Sequence, residues 1–350
     1  MVHLAPSSAG TDALGQGAAP ACYAALDLGS NNCRLLIARA AVEGGGQGFA
    51  VIDSFSRVIR LGEGLGNRND APAGALAPAA MDRALVALGV CKDKIRRHPV
   101  VALRAVATDA CRRAANREQF LARIARDTGL AFDVISAAEE AALALAGCAP
   151  LLANGPSHAL VFDVGGGSSE LMWVEARDGN PRLIDFVSLP VGVVGLAEAF
   201  GSSADSFEAM VAVASEKLGA FEARNGIAAR AAEGEVGLVG TSGTVTTVAA
   251  LHLGLASYDR SRVDGLEMTV DEIRTVTTRI LAMPADALMQ DPRIGRARAH
   301  FVLPGIAILE AVLRAWPVRR VRVADRGVRE GILYQLMAIA SAALQSGLSP

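Results

Sequence analysis

A chain of 350 residues is long enough for two domains of roughly 150 to 170 residues, each able to bury its own core. Its 34 basic and 36 acidic side chains leave a formal net charge of −2, which excludes a general nucleic-acid or membrane-surface binder. The five cysteines (Cys22, Cys33, Cys91, Cys111, Cys148) are odd in number and form no C-x-x-C pair, so neither a disulfide framework nor a zinc site is expected.

Residues 1–21 are rich in Ala, Gly, Ser and Pro and lack the basic and apolar regions of a signal peptide; a disordered tail is expected there. YAALDL, RLLIARA and FAVIDSFS then read as strands, NRNDAPAGALAP (67–78) as a loop, and MDRALVALGVCKDKIRR as a helix. VVALRAVAT and FDVIS are strand-like, while REQFLARIARDTG and AEEAALALAG have helical periodicity. NGPS at 154–157 punctuates the chain before ALVFDV and ELMWVE. DSFEAMVAVASEKLGAFEARNG, the strand VGLVG, the strand VRRVRVA and the helix GILYQLMAIASAAL complete the pattern. Strands and helices mixed in this way indicate an α/β fold with helix-covered sheets. Two lobes are expected, 22–150 and 151–350, with the last helix, about 327–345, packing back on the first lobe. No uninterrupted apolar run of about 18 residues occurs, so a soluble, cytoplasmic protein without a membrane span is expected.

ALDLGSNNCRLLIAR (25–39) and VFDVGGGSSELMWVE (161–175) align without a gap. Asp27 stands over Asp163, Gly29 over Gly165, and Arg34 over Glu170, one lobe-length apart. Two such strand–turn–strand hairpins point to a duplicated domain with its site in the cleft between the copies. Glycines in these turns can take positive φ and aim successive N–H groups at an anion. Gly165, Gly166, Gly167 and Ser168 are placed to do so in the second hairpin; Ser30, Asn31 and Asn32 follow Gly29 in the first. Asp163 and Glu170, with Asp27 as a further candidate, are hard oxygen ligands suited to Mg²⁺, which binds through one or two carboxylates plus phosphates and waters. No G-x-x-x-x-G-K-[ST] loop is present, and no G-x-G-x-x-G opens a helix after the first strand.

Three further features stand out. In VGLVGTSGTVTTVAALHLG (236–254) the small residues Gly240, Thr241, Ser242, Gly243 and Thr244 lie at a strand-to-helix junction. That junction suits either a nucleotide edge or plain capping. In ISAAEEAALALAG, Ser136 and Glu139 fit a capping box, which leaves Glu140 as a carboxylate able to polarise water. Local charge is uneven: residues 92–117 hold eight basic side chains, Arg112 among them, against Asp93 and Asp109. Residues 291–330 hold nine arginines against four acids. His98, His158, His252 and His300 show no metal-ligand spacing and read as structural.

Nine blocks in order, from ALDLGSNNCRLLIA through VIRLGEGL, ATDACRRAANREQF, ISAAEEAALALAG, VFDVGGGSSEL, SLPVGVVGL, VGTSGTVTTVAAL and RAHFVLPGIAILEAVL to VADRGVREGIL, resemble the exopolyphosphatase and guanosine pentaphosphate phosphohydrolase family. The resemblance covers about residues 22–338. It implies two duplicated RNase H-like lobes of the sugar kinase, Hsp70 and actin superfamily fold. It also implies Glu140 as the general base, Asp163 and Glu170 as the Mg²⁺ site (Mn²⁺ as an alternative ion), and Arg34, Arg112 and Arg329 as phosphate-holding cations. The implied reaction is attack of water on a terminal phosphoryl group of inorganic polyphosphate or guanosine pentaphosphate. Ala142 departs from the Arg that members commonly carry two residues after the catalytic Glu. The chain resembles the short, two-lobe members, which lack a C-terminal helical extension; a homodimer is expected. A small-molecule kinase of the same superfamily and a non-catalytic nucleotide sensor are the competing classes.

Overall fold

The computed structural model describes residues 3–4, 21–40, 48–65, 74–177, 181–201, 203–296 and 298–345. Most of the expected loop at 67–78 and of the N-terminal tail lies outside them. The chain forms two compact units, Met1–Ser136 with Val328–Pro350, and Ala137–Gly327.

The first unit contains strands β1 (His3–Leu4), β2 (Cys22–Leu28), β3 (Asn32–Ala40) and β4 (Phe49–Val58), helix α1 (Pro78–Arg96), β5 (Val100–Ala107), α2 (Asp109–Arg113), α3 (Arg117–Thr128) and β6 (Asp133–Val134). Its sheet runs β1-β5-β2-β3-β4, with β6 also paired to β5. The three strands β2, β3 and β4 form an antiparallel meander, and β5 joins β2 in parallel. The expected disordered tail is therefore not wholly unstructured, since His3–Leu4 pair antiparallel with Ala102 and Leu103. FDVIS yields only a two-residue strand. The α1 helix starts at Pro78, whose fixed φ and missing N–H suit a first turn; α3 stops at Gly129, which takes φ 74°. Leu26, Leu35, Ile37, Leu88 and Phe120 fill the core. Lys94 and His98, at and just past the end of α1, both reach Asp53 on β4, at 2.7 and 3.2 Å.

The second unit contains α4 (Ala137–Leu152), β7 (His158–Val164), β8 (Ser169–Glu175), β9 (Arg182–Leu189), α5 (Val193–Phe200), α6 (Phe207–Asn225), α7 (Ile227–Ala232) and β10 (Val236–Thr241). It continues with α8 (Gly243–His252), α9 (Arg260–Val263), β11 (Glu267–Thr269), α10 (Val270–Leu281), α11 (Ala285–Gln290), α12 (Ala299–Ala315) and β12 (Arg320–Ala324). The sheet order is β11-β12-β10-β7-β8-β9. Again a meander (β7, β8, β9) is extended by parallel strands, β10 and then β12. The order of the first sheet is thus repeated, strand for strand, around its first hairpin. Phe162, Trp173, Phe221, Ile306 and Trp316 lie in its core.

The unit boundary lies at 136/137 rather than near 150, because α4 packs on β8, β9 and β12. A Cβ on Gly147 would strike the carbonyl oxygen of Gly327, and Cys148 Sγ lies 3.8 Å from the Arg326 carbonyl, so this helix is fitted to the end of β12. The last helix, α13 (Val328–Gln345), packs on β2, β3 and β5 of the first unit. Among the described residues no helix is long and apolar enough to cross a membrane.

Candidate active site

In the first unit the site residues gather where β2 turns into β3. Gly29 N–H donates to Asn32 O at 2.9 Å, leaving Ser30 and Asn31 at the tip, 5% and 9% exposed. Ser30 Oγ donates to Asp109 Oδ2 at 3.2 Å. Asp109 opens α2, and the same carboxylate lies 3.9 Å from Arg112 and 3.4 Å from Arg113. Arg112 also donates to Ile135 O at 3.0 Å. Asn31 Oδ1 is buried with no hydrogen-bond partner; an orphaned buried acceptor costs free energy and calls for an explanation.

One position down the hairpin, Asp27 pairs in register with Arg34. Helix α13 brings Arg329 and Glu330 to the same carboxylate, joining residues some 300 positions apart in sequence. Burial pushes the Asp27 pKa up; the Arg34 and Arg329 guanidiniums pull it down and Glu330 adds to the rise, with a net upward shift. Asp27 keeps some solvent exposure, but the protein around its carboxylate removes enough water to decide the direction. Its charged neighbours include the Arg34 and Arg329 guanidiniums and the Glu330 carboxylate.

In the second unit the equivalent hairpin closes in the same way, Gly165 N–H donating to Ser168 O at 2.9 Å. Neither Gly29 nor Gly165 takes a positive φ. Close approach is what requires glycine here, since a Cβ on Gly165 would lie 2.7 Å from Ser168 O. The positive-φ residues beside the two turns are instead Arg60 (50°) and Ser242 (113°). The first amides of α5 hold the turn from behind, Val193 N–H to Gly165 O at 3.1 Å and Val194 N–H to Gly166 O at 2.8 Å. Gly192 makes that approach possible: a Cβ there would lie 2.5 Å from Gly166 O.

Across the sheet one row reads Ala324, Thr241, Asp163, Glu170, Ser188. Asp163 and Glu170 are direct antiparallel partners. Glu170 is 4% exposed, and its Oε1 accepts hydroxyl hydrogens from both Ser168 and Ser188 at 2.7 Å. The Ser168 hydroxyl is thus directed to the Glu170 carboxylate. Ser188, supplied by β9, was not singled out from the sequence, nor were Asp109, Gly192 and Glu330. All four lie inside the blocks quoted above, but only tertiary pairing shows what they touch. Among the described residues no three His, Cys, Asp or Glu side chains converge into a closed metal cage. Two facing carboxylates nevertheless fit Mg²⁺, which takes one or two carboxylates and completes its shell with phosphate and water oxygens.

Glu140 lies in the first turn of α4, partly exposed, and Ala142 is exposed one half-turn on. At the end of β10, Ser242 Oγ caps α8 by accepting from Thr244 N–H at 3.2 Å. Gly240 is packed against Phe162 and Val245, whereas Gly243 has open space before it. Capping therefore accounts for Ser242, while a Cβ added at Gly243 would meet nothing within 4 Å.

Two mixed sheets of the same order, each opening with a hairpin that carries an acid, define an α/β protein of the sugar kinase, Hsp70 and actin fold. Residues 38–339 match the model of the Ppx/GppA phosphatase family, and the chain belongs to that family. It is a hydrolase of phosphoanhydride bonds. The structure of the Aquifex aeolicus Ppx/GppA family member is similar, with 26% identity, a TM-score of 0.73, and coverage of 91% of this chain and 98% of that one. An exopolyphosphatase-like protein is 29% identical with a TM-score of 0.76 over 89% of this chain and 98% of its own. An exopolyphosphatase from Cytophaga hutchinsonii shares the fold at 22% identity, TM-score 0.77, over 91% and 98%.

Proposed function

We propose that this phosphohydrolase releases terminal orthophosphate from inorganic polyphosphate, with Glu140 as the general base that takes a proton from the attacking water. The observation that carries the reading is the Asp163–Glu170 pair. Like charges directly opposite on a sheet are destabilising, and the hydroxyls of Ser168 and Ser188 both bond the Glu170 carboxylate of that pair. Such a pair suits a site that handles a cation together with phosphate. Asp163 and Glu170 would hold Mg²⁺, with Mn²⁺ as the alternative; when bound, the ion would neutralise charge on the phosphoryl oxygens.

In the first unit, the Ser30–Asn32 backbone with Arg34, Arg112 and Arg329 would hold phosphates as donors and cations; in the second, the Gly165–Ser168 backbone would. Water attacks the terminal phosphorus in line, the bridging P–O bond breaks, and the shortened polymer leaves as an anion stabilised by those groups. The Glu140 carboxylate, on the first turn of α4, takes the water proton. No covalent intermediate is required.

Guanosine pentaphosphate presents the same terminal phosphoanhydride and is the second substrate reading. The test is orthophosphate release with Mg²⁺ from short polyphosphate, long polyphosphate and guanosine pentaphosphate at matched terminal-phosphate concentration. Preferential release from polyphosphate supports the proposal, and preference for the nucleotide replaces it by the second reading. Release from none of the three, with phosphate transfer from ATP to a small acceptor, would make the chain a kinase.

A further inference from the structure

Between β4 and α1 the chain makes a strap, Ile59–Glu63, whose backbone grips the tip of the first hairpin. Ile59 N–H and Arg60 N–H both donate to Asn31 O, at 2.8 and 3.1 Å, and Gly62 N–H donates to Ser30 O at 2.8 Å. A Cβ on Gly62 would lie 3.1 Å from Ser30 Cβ, so the approach is close along the whole tip. To make these bonds Arg60 adopts φ 50°, a conformation that persists only where its surroundings over-determine it. Two anchors do so. Ile59 and Leu61 are fully buried in the core. From the other side Arg83 of α1 spans the strap, Nε donating to Ile59 O at 2.8 Å and Nη2 to Arg60 O at 3.3 Å and Glu63 Oε2 at 2.9 Å.

We propose that Arg83 is a positioning residue for phosphate binding: its guanidinium locks the strap, and the strap fixes the Ser30–Asn31 tip. This rests on the reading of that tip as a phosphate holder. A planar fork of donors spans three acceptors spread along one strap from two nitrogens, whereas an ammonium offers its three donors from a single point. Arg83 acts through the strap in this reading, and its side chain is 42% exposed, so replacing it leaves the core intact.

The test compares Arg83→Ala, Arg83→Lys and, as control, Arg123→Ala, an exposed arginine of α3 that bonds Asp82 of α1 and not the strap. Hydrogen exchange reads the strap directly. In Arg83→Ala the Ile59, Arg60 and Gly62 amides should exchange at least about tenfold faster while β2 and β5 amides keep their protection. Steady-state kinetics on short polyphosphate should show KM raised about tenfold and kcat within about threefold, the pattern of lost uniform binding. Arg83→Lys should fall between Arg83→Ala and the parent, and Arg123→Ala should match the parent. Unchanged strap exchange overturns the proposal, as does faster exchange with unchanged KM, or an equal KM rise in Arg123→Ala. A protein inactive on every phosphoanhydride would remove the functional reading instead, and the exchange experiment would still decide whether Arg83 locks the strap.

Discussion

Asp163 and Glu170 face one another across the second hairpin, at the position where the first hairpin pairs Asp27 with Arg34. Direct antiparallel partners have Cα atoms only about 4.5–5.5 Å apart. The duplicated hairpin thus keeps an acid on its first strand in both units and changes its partner from a cation to an anion. Asp27 has the Arg34 and Arg329 guanidiniums beside it, and the Asp163–Glu170 pair is the one we propose for an added cation. Asp163→Asn and Glu170→Gln should each raise the Mg²⁺ concentration for half-maximal activity by about tenfold or more. Ser188→Ala, which removes one of the two hydroxyls on Glu170 Oε1, should raise it less. Metal titrations check this, and an unchanged titration in all three variants would place the ion elsewhere.

Glu140→Gln should lower kcat by about 10²–10⁴-fold, the usual contribution of a positioned general base. Binding of a non-hydrolysable phosphate ligand should stay within about threefold, because the amide preserves size and α4 packing. Turnover close to that of the parent protein would remove Glu140 from the role.

Gly192→Ala should damage the second turn without touching a charged group. The added methyl meets Gly166 O at 2.5 Å and the Gly167 carbonyl carbon at 2.7 Å, backbone atoms that cannot swing away. We expect about 1–3 kcal/mol of lost stability from overpacking, and a fall in kcat/KM larger than the stability loss explains. Calorimetry beside steady-state kinetics separates the two; full activity would show that the turn tolerates displacement.

Asp53 should make stability fall in acid. Burial alone would raise its pKa, but hydrogen bonds from Lys94 and His98 and from the Ser54 N–H outweigh that and hold it below the usual carboxylate range. A depressed folded pKa gives stability that is present above the unfolded value of about 3.9 and lost as pH falls through the folded value. Asp53→Asn should cost about 1–2 kcal/mol at neutral pH and flatten the stability curve below about pH 4. Denaturant melts across pH check it; a parallel curve for the variant would contradict the assignment.

Both hairpins and the Asp163–Glu170 facing were legible because pairing within a hairpin is local, and the spacing of two acids across a four-residue turn sets their register. Two elements escaped the sequence reading where local pattern is weak. RLIDFVSL (β9) is only partly buried and shows no clean alternation, and so was not read as a strand. In α12, buried on nearly every side and holding Pro304 and Gly305, helical periodicity is erased. The unit boundary was misplaced because α4 follows the first sheet in sequence but fits the end of β12. Site partners such as Ser188, Asp109 and Glu330 stayed hidden for the same reason: each is delivered by an element remote from the turn it serves.

The most direct measurement is polyphosphate cleavage in ¹⁸O-labelled water, with the released orthophosphate analysed by mass spectrometry for the parent protein and Glu140→Gln. Attack of water on the terminal phosphorus predicts one ¹⁸O in each released phosphate, and a loss of labelled product in the variant that follows its loss of kcat. Phosphate leaving without the label, or labelled release undiminished by Glu140→Gln, would contradict the account.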